Sequence, residues 1–162
     1  PLAEKYGFVF VGGHPMAGSE KTGYANANPL LLENAYYILT PTEEVPAEKI
    51  GQLKELVSGI GALPLILPYD KHDYITAAVS HLPHIISACL VNLVKNSDDA
   101  DGLMKMIAAG GFKDITRISS SSPVMWQSVC LTNTENIKTL LENYIHDLQN
   151  VQAQQHLLVI FR

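Results

Sequence analysis

Arginine and cysteine each occur only twice in the 162 residues and tryptophan once, and these scarcities bound the chemistry before any pattern is read. The eleven Lys and Arg are scattered singly against sixteen Asp and Glu, for a net charge of −5. There is no basic stripe of the kind that neutralises phosphates, so nucleic acid and anionic membrane surfaces are not expected partners. Cys89 and Cys130 stand in apolar, helix-like context with no Cys or His at metal-ligand spacing, and read as buried free thiols of a reducing cytoplasm. No run approaches the roughly 18 consecutive apolar residues of a membrane span, and the first residues lack the basic-then-apolar pattern of a signal peptide. Asn-x-Ser/Thr acceptors and internal repeats are also missing. A cytoplasmic protein is expected.

The residues that are present divide into two characters. "YGFVFVGG" is an apolar, aromatic and β-branched run stopped by a glycine pair, which predicts a buried strand ending at Gly12, with His14 in the loop past its carboxyl end. "NAYYILTPT" and "ALPLILPYD" predict two more strands. Between them "VPAEKIGQLKELVSGIG" places Ile50, Leu53, Leu56, Val57 and Ile60 at helical spacing, entered through Pro46 and closed by Gly59 and Gly61. This is an α/β layer, but one helix covers only one face of three strands. After Pro68, "DKHDYITAAVSHLPHIISACLVNLVKN" predicts a long buried helix with a kink at Pro83, where the ring pushes against the carbonyl of Val79. More helices follow, broken at Gly110-Gly111 and at Ser119 to Ser122, with Thr132 or Asn133 capping the last one. The reading is an α/β remnant over residues 1–68 and an all-α region over 69–162, mainly α overall.

Three groups of residues can carry chemistry. Arg117 ends "GGFKDITR", just past a glycine pair, and a guanidinium grips a carboxylate with two parallel hydrogen bonds; a salt bridge with Asp114 is the competing reading. His72, His81 and His84 share one predicted helix, but His72 lies nine residues before His81, about half a revolution away at roughly 100° per residue. They do not converge as metal ligands, no metal is expected, and each reads by default as a satisfied, half-buried histidine. His146 and His156 fall in the polar last helix and read as solvated. His14 sits where open α/β sheets place their ligands, between Gly12-Gly13 and Pro15, with Gly18, Ser19 and Glu20 beyond. It is a candidate general base, or a loop histidine bonded to backbone. "GIGALP" at Gly59 lacks the third glycine of a dinucleotide turn and is a helix stop.

"GGHPMAGSEKTG", "ILTPT", "HDYITAAVSHLPH", "GGFKDITRIS" and "PVMW" occur in this order and at these separations in prephenate dehydrogenases, and the chain resembles that family from about Phe8 to Gln149. The resemblance implies the C-terminal part of a Rossmann-type nucleotide-binding domain followed by a helical dimerisation and substrate domain. It implies oxidative decarboxylation of prephenate to 4-hydroxyphenylpyruvate with NAD or NADP, in tyrosine biosynthesis. In family terms His14 bonds the ring hydroxyl and helps remove its proton, His84 positions the substrate, and Arg117 holds a substrate carboxylate. Ser19, Glu20, Gly110, Gly111 and Trp126 match residues that line or gate the pocket, while His14 and Pro15 represent the cofactor side. The G-x-G-x-x-G turn is absent, so the resemblance places the start of the chain inside the nucleotide-binding domain, without the main nicotinamide site. A homodimer through the helical domain and tyrosine as an inhibitor follow from the same resemblance. Two other readings stay open: a non-catalytic dimerisation module that binds prephenate or tyrosine, and an arogenate dehydrogenase.

Overall fold

The structure is a computed structural model that describes residues 2–19 and 23–153. The chain divides into two compact units, residues 1–72 and 73–162.

The first unit opens with a short helix, α1 (Leu2–Tyr6), and contains the three strands β1 (Gly12–Pro15), β2 (Tyr36–Thr40) and β3 (Leu63–Ile66), with α2 (Ala47–Gly59) between the last two. β2 is central: β1 pairs with it antiparallel, His14 opposite Ile38, and β3 pairs with it parallel, Leu39 opposite Ile66. A parallel pair needs a crossover, and α2 supplies it. Leu39, Val57 and Ala62 form the buried centre, with Val11, Leu32, Tyr37 and Leu53 packed around them. Alternation along the strands therefore puts Tyr37 and Leu39 on the α2 face and Ile38 and Thr40 on the other. His14 shares the Ile38 face through its cross-strand pairing. As the single helix implied, β3 is poorly covered, and Leu63, Leu65 and Ile66 are all exposed.

One strand is displaced from its predicted place. Residues 7–11 are not a strand; Phe8, Val9 and Phe10 are exposed, and β1 begins only at the glycine pair. The glycine pair lies close against the partner strand: a side chain at position 12 would collide with the Thr40 hydroxyl, and one at 13 would meet the Tyr37 ring at 3.0 Å, so larger residues there would require those side chains to shift. With β1 beginning at the pair, His14 is inside a strand rather than in a loop beyond one.

The predicted long helix, which starts at the end of the first unit, is three pieces: α3 (Tyr69–Thr76), a π-helical turn (Ala77–His81) and α4 (Leu82–Ser97). The Leu82 N–H donates to the Ala77 carbonyl, five residues back. Pro83 lies at the start of α4, immediately after this wide turn. The widened turn absorbs the missing proline N–H and the crowding at Val79 that would otherwise kink an α-helix. The helix is also less buried than expected: Thr76, Ala77, His84 and Ser87 are buried, but Val79 and Leu93 are each 63% exposed. Tyr69–Ser97 is long and apolar enough, by length and composition only, to cross a membrane, a test that core helices of soluble proteins also pass. Serine, histidine and proline interrupt its apolar run, which is why a count of consecutive apolar residues passes over it. Cys89 on α4 is exposed and Cys130 half-buried, which corrects the expectation of buried thiols.

The rest of the second unit is α5 (Leu103–Ile107), α6 (Gly110–Thr116), a 3-10 turn (Arg117–Ser120), α7 (Pro123–Thr132) and α8 (Thr134–Ala153). α4 is its hub, packing against α5, α6, the 3-10 turn and α8. The serine run breaks the chain as predicted: Ser119, Ser120 and Ser121 turn their hydroxyls back to the carbonyls of Thr116, Arg117 and Ile118, and Ser122 caps α7 ahead of Pro123.

Candidate active site

Within the first unit, β1 presents His14 half-buried beside His72, which stands in the first turn of α3. His14 Nδ1 lies 2.8 Å from His72 Nε2, and the rings meet edge to face at 71°. A contact this short between two ring nitrogens holds one proton: one nitrogen donates and the other accepts. Burial lowers the His14 pKa from its ordinary 6.5, and repulsion from His72 in its charged form lowers it further. His14 is therefore a neutral imidazole near pH 7, the form a general base requires. Pro15 closes β1, and Ser19 beyond it is exposed. Glu20 lies outside the described residues.

Within the second unit, His84 of α4 stacks on Trp126 of α7 with ring centroids 3.5 Å apart and planes 9° from parallel. His81, from the π turn, meets the same indole edge to face at 6.1 Å. Asn133 Nδ2 donates to the Asp73 carbonyl at 2.7 Å and stands 3.3 Å from His81 Nδ1. His84 departs from the satisfied histidine expected of it. It is only 7% exposed, yet its Nδ1 has no hydrogen-bond partner among the described residues, and neither do Ser87 Oγ and Trp126 Nε1. A buried polar atom left unpaired costs about 1–3 kcal/mol, so each of these three atoms is suited to bond a ligand or water. Burial lowers the His84 pKa as well.

Gly110 and Gly111 open α6, and a side chain at either position would meet nothing within 4 Å. Arg117 begins the 3-10 turn that follows α6, and it is exposed. That turn and α6 both pack on α4, the helix that carries His84. His146 on α8 is exposed, as expected, while His156 lies outside the described residues. Sequence reasoning missed the pairing of His14 with His72, because 58 residues separate them and no spacing rule spans that distance.

The lowered values of His14 and His84 have a consequence for stability. Above 6.5 both groups are neutral in folded and unfolded chain alike, and contribute nothing to pH dependence. As pH falls through 6.5 the unfolded chain takes up protons that the folded one does not, so stability is lost until pH passes the folded values. The thermal midpoint is expected to be lower at about pH 5.5 than at about pH 7.5, with a smaller difference in a His14→Gln, His84→Gln double variant. Equal midpoints in the unsubstituted protein would contradict both shifts.

Among the described residues no group of three or more His, Cys, Asp or Glu is placed to hold a metal ion. The two close histidine nitrogens do not share one either, since Zn–N bonds of about 2.0–2.1 Å at tetrahedral angles put ligand nitrogens roughly 3.3 Å apart. Among the described residues no strand runs through a glycine turn into a helix N-terminus; β1 pairs instead with an antiparallel partner. The described residues therefore do not make a pyrophosphate site.

Family models define the class to which this chain of two units belongs. Residues 3–65 match the nucleotide-binding domain of prephenate dehydrogenase, and residues 68–156 match its dimerization domain. The chain belongs to the prephenate dehydrogenase family. It is 43% identical over 146 residues to a prephenate dehydrogenase of Bacillus subtilis, covering 90% of this chain and 39% of that protein. Among solved structures it resembles prephenate dehydrogenase from Aquifex aeolicus in complex with hydroxyphenyl propionate and NAD+, with a TM-score of 0.86 and 34% identity, over 94% of this chain and 53% of that one. Synechocystis arogenate dehydrogenase matches with a TM-score of 0.81 and 29% identity, over 94% of this chain and 55% of that one. The chain thus spans about two fifths of the Bacillus protein and about half of the two solved chains.

Proposed function

We propose that the protein to which this chain belongs oxidatively decarboxylates prephenate to 4-hydroxyphenylpyruvate with NAD or NADP, in cytoplasmic tyrosine synthesis. Beyond the family relationship, the observation that carries this reading is His14, a half-buried histidine kept neutral by its surroundings and hydrogen-bonded through one ring nitrogen. Prephenate carries a ring alcohol and two carboxylates, so its enzyme needs a base and a cationic grip. In this reading His14 Nε2 takes the alcohol proton, and a bound nicotinamide would supply the hydride acceptor for the same carbon. Loss of carbon dioxide then aromatises the ring, and the phenolate formed recovers a proton. The driving force is aromaticity, so the chain's residues need only hold, orient and move that proton.

Arg117 holds a substrate carboxylate in this reading, and His84, set by its stack on Trp126, positions the substrate. Ser19, Glu20, Gly110 and Gly111 complete the lining, and Pro15 stands with His14 on the cofactor side. The exposed apolar side chains of Tyr69–Ser97 support a homodimer formed through the helical region. Arogenate is the second substrate to test, because one of the similar solved structures is an arogenate dehydrogenase. The test is nicotinamide reduction by the full-length protein with prephenate and arogenate, each against NAD and NADP. Turnover with either substrate supports an enzyme. Binding of prephenate or tyrosine by calorimetry without any turnover would replace this reading with a non-catalytic module.

A further inference from the structure

We propose that His72 is the positioning residue of the His14 base: His72 Nε2 accepts the hydrogen on His14 Nδ1, which leaves the lone pair on His14 Nε2 available for the reaction. The inference rests on the reading of His14 as a base, and adds to it a residue and a tautomer. Its foundation is geometric. The 2.8 Å separation is a hydrogen bond between ring nitrogens, the 71° angle excludes a stacked pair, and the spacing is too short for a shared metal ion. His72 is anchored at the start of α3, where its N–H donates to the Pro68 carbonyl at 2.9 Å. His14 is anchored by β1, one residue from the end of the strand.

The neutral pair has two arrangements, and only one is compatible with a base at Nε2. If His72 Nε2 donates, His14 Nδ1 accepts, and neutral His14 must then carry its single hydrogen on Nε2, where it blocks proton uptake. If His14 Nδ1 donates, its hydrogen is committed to His72 and Nε2 is bare. Free histidine prefers the hydrogen on Nε2, so a base acting there needs an acceptor fixed at Nδ1. In Ser-His-Asp sites a carboxylate fills that role. Here the acceptor is an imidazole nitrogen, which orients the ring without the strong rise in basicity that a carboxylate brings. When Nε2 takes the substrate proton, the Nδ1–H to His72 bond becomes charge-assisted and strengthens, so the contact also favours the protonated intermediate.

Two readouts test this, one independent of turnover. Long-range nitrogen–proton correlation spectra of this chain, at about pH 8 and without substrate, are expected to show His14 protonated at Nδ1 and bare at Nε2. His72→Phe, which removes the acceptor, should move the hydrogen to Nε2, and His72→Gln, whose carbonyl oxygen accepts, should restore the native tautomer. A native His14 protonated at Nε2, or a tautomer unchanged in His72→Phe, overturns the inference. In the full-length protein His72→Phe is expected to lower kcat about 10–100-fold, the range seen when an orienting partner of a functional histidine is lost. KM should change little and His72→Gln should recover most of the rate; equal rates for His72→Phe and the native protein also overturn it. Should His72→Phe not fold, as judged by circular dichroism, the native spectrum alone decides. If the full-length protein turns over neither prephenate nor arogenate while His14 is protonated at Nδ1, the proposed function falls and the pairing stands. If it turns over prephenate with His14 protonated at Nε2, the pairing falls alone.

Discussion

Replacing His14 with alanine in the full-length protein is expected to lower kcat about 10²–10⁴-fold, the usual contribution of a positioned general base. The loss belongs in kcat rather than KM, because the proton moves only as hydride leaves and the ground-state complex keeps its other contacts. His14→Ala also removes one partner of a part-buried nitrogen pair, so His72 loses its hydrogen bond. Comparison with His14→Asn separates the two effects, since its carboxamide can still bond a neighbour but cannot take up a proton. Both variants should be similarly slow if proton removal is the function of this residue. An alanine variant with undiminished turnover would show that the alcohol proton leaves by another route.

The second large effect is at Arg117, one of only two arginines in the chain. A hydrogen bond to a charged group contributes about 1.5–3 kcal/mol, which corresponds to roughly 10–100-fold in affinity. Arg117→Ala is therefore expected to raise KM for prephenate by about that factor. Arg117→Lys should recover only part of it, because an ammonium is a point charge and does not form the two parallel bonds of a guanidinium with a carboxylate. Arg117 is exposed and stands on a turn whose serine hydroxyls are bound to backbone carbonyls. Unchanged KM in Arg117→Ala would remove the residue from the substrate grip and favour the alternative of a structural ion pair with Asp114.

Much of the architecture was legible in the residues because punctuation and periodicity agreed. β2, α2 and β3 fall where apolar runs are bounded by proline and glycine, with Pro46 just before α2 and Gly59 as its last residue. The serine run marked a break, and Ser122-Pro123 marked the next helix start. The run Phe8 to Phe10 misled, since apolarity reports a tendency to be covered and not which strand pairs with which. The long helix misled in the same way: its composition suggested burial on all sides, yet in this chain Val79 and Leu93 are largely exposed.

By itself the sequence determined the family, through motifs whose order and spacing survive without any knowledge of packing. It also singled out His14 by its loop of small residues and Arg117 as one of two arginines, while His84 became a candidate only through the family resemblance. Tertiary structure alone decided that β1 begins at the glycine pair, which lies close against the side chains of Thr40 and Tyr37. It also decided that the proline is met by a π turn, and that His14 has a partner on a helix 58 residues away. Pairing register, steric fit and a 2.8 Å hydrogen bond depend on distances in space, and positions along a chain do not encode those locally.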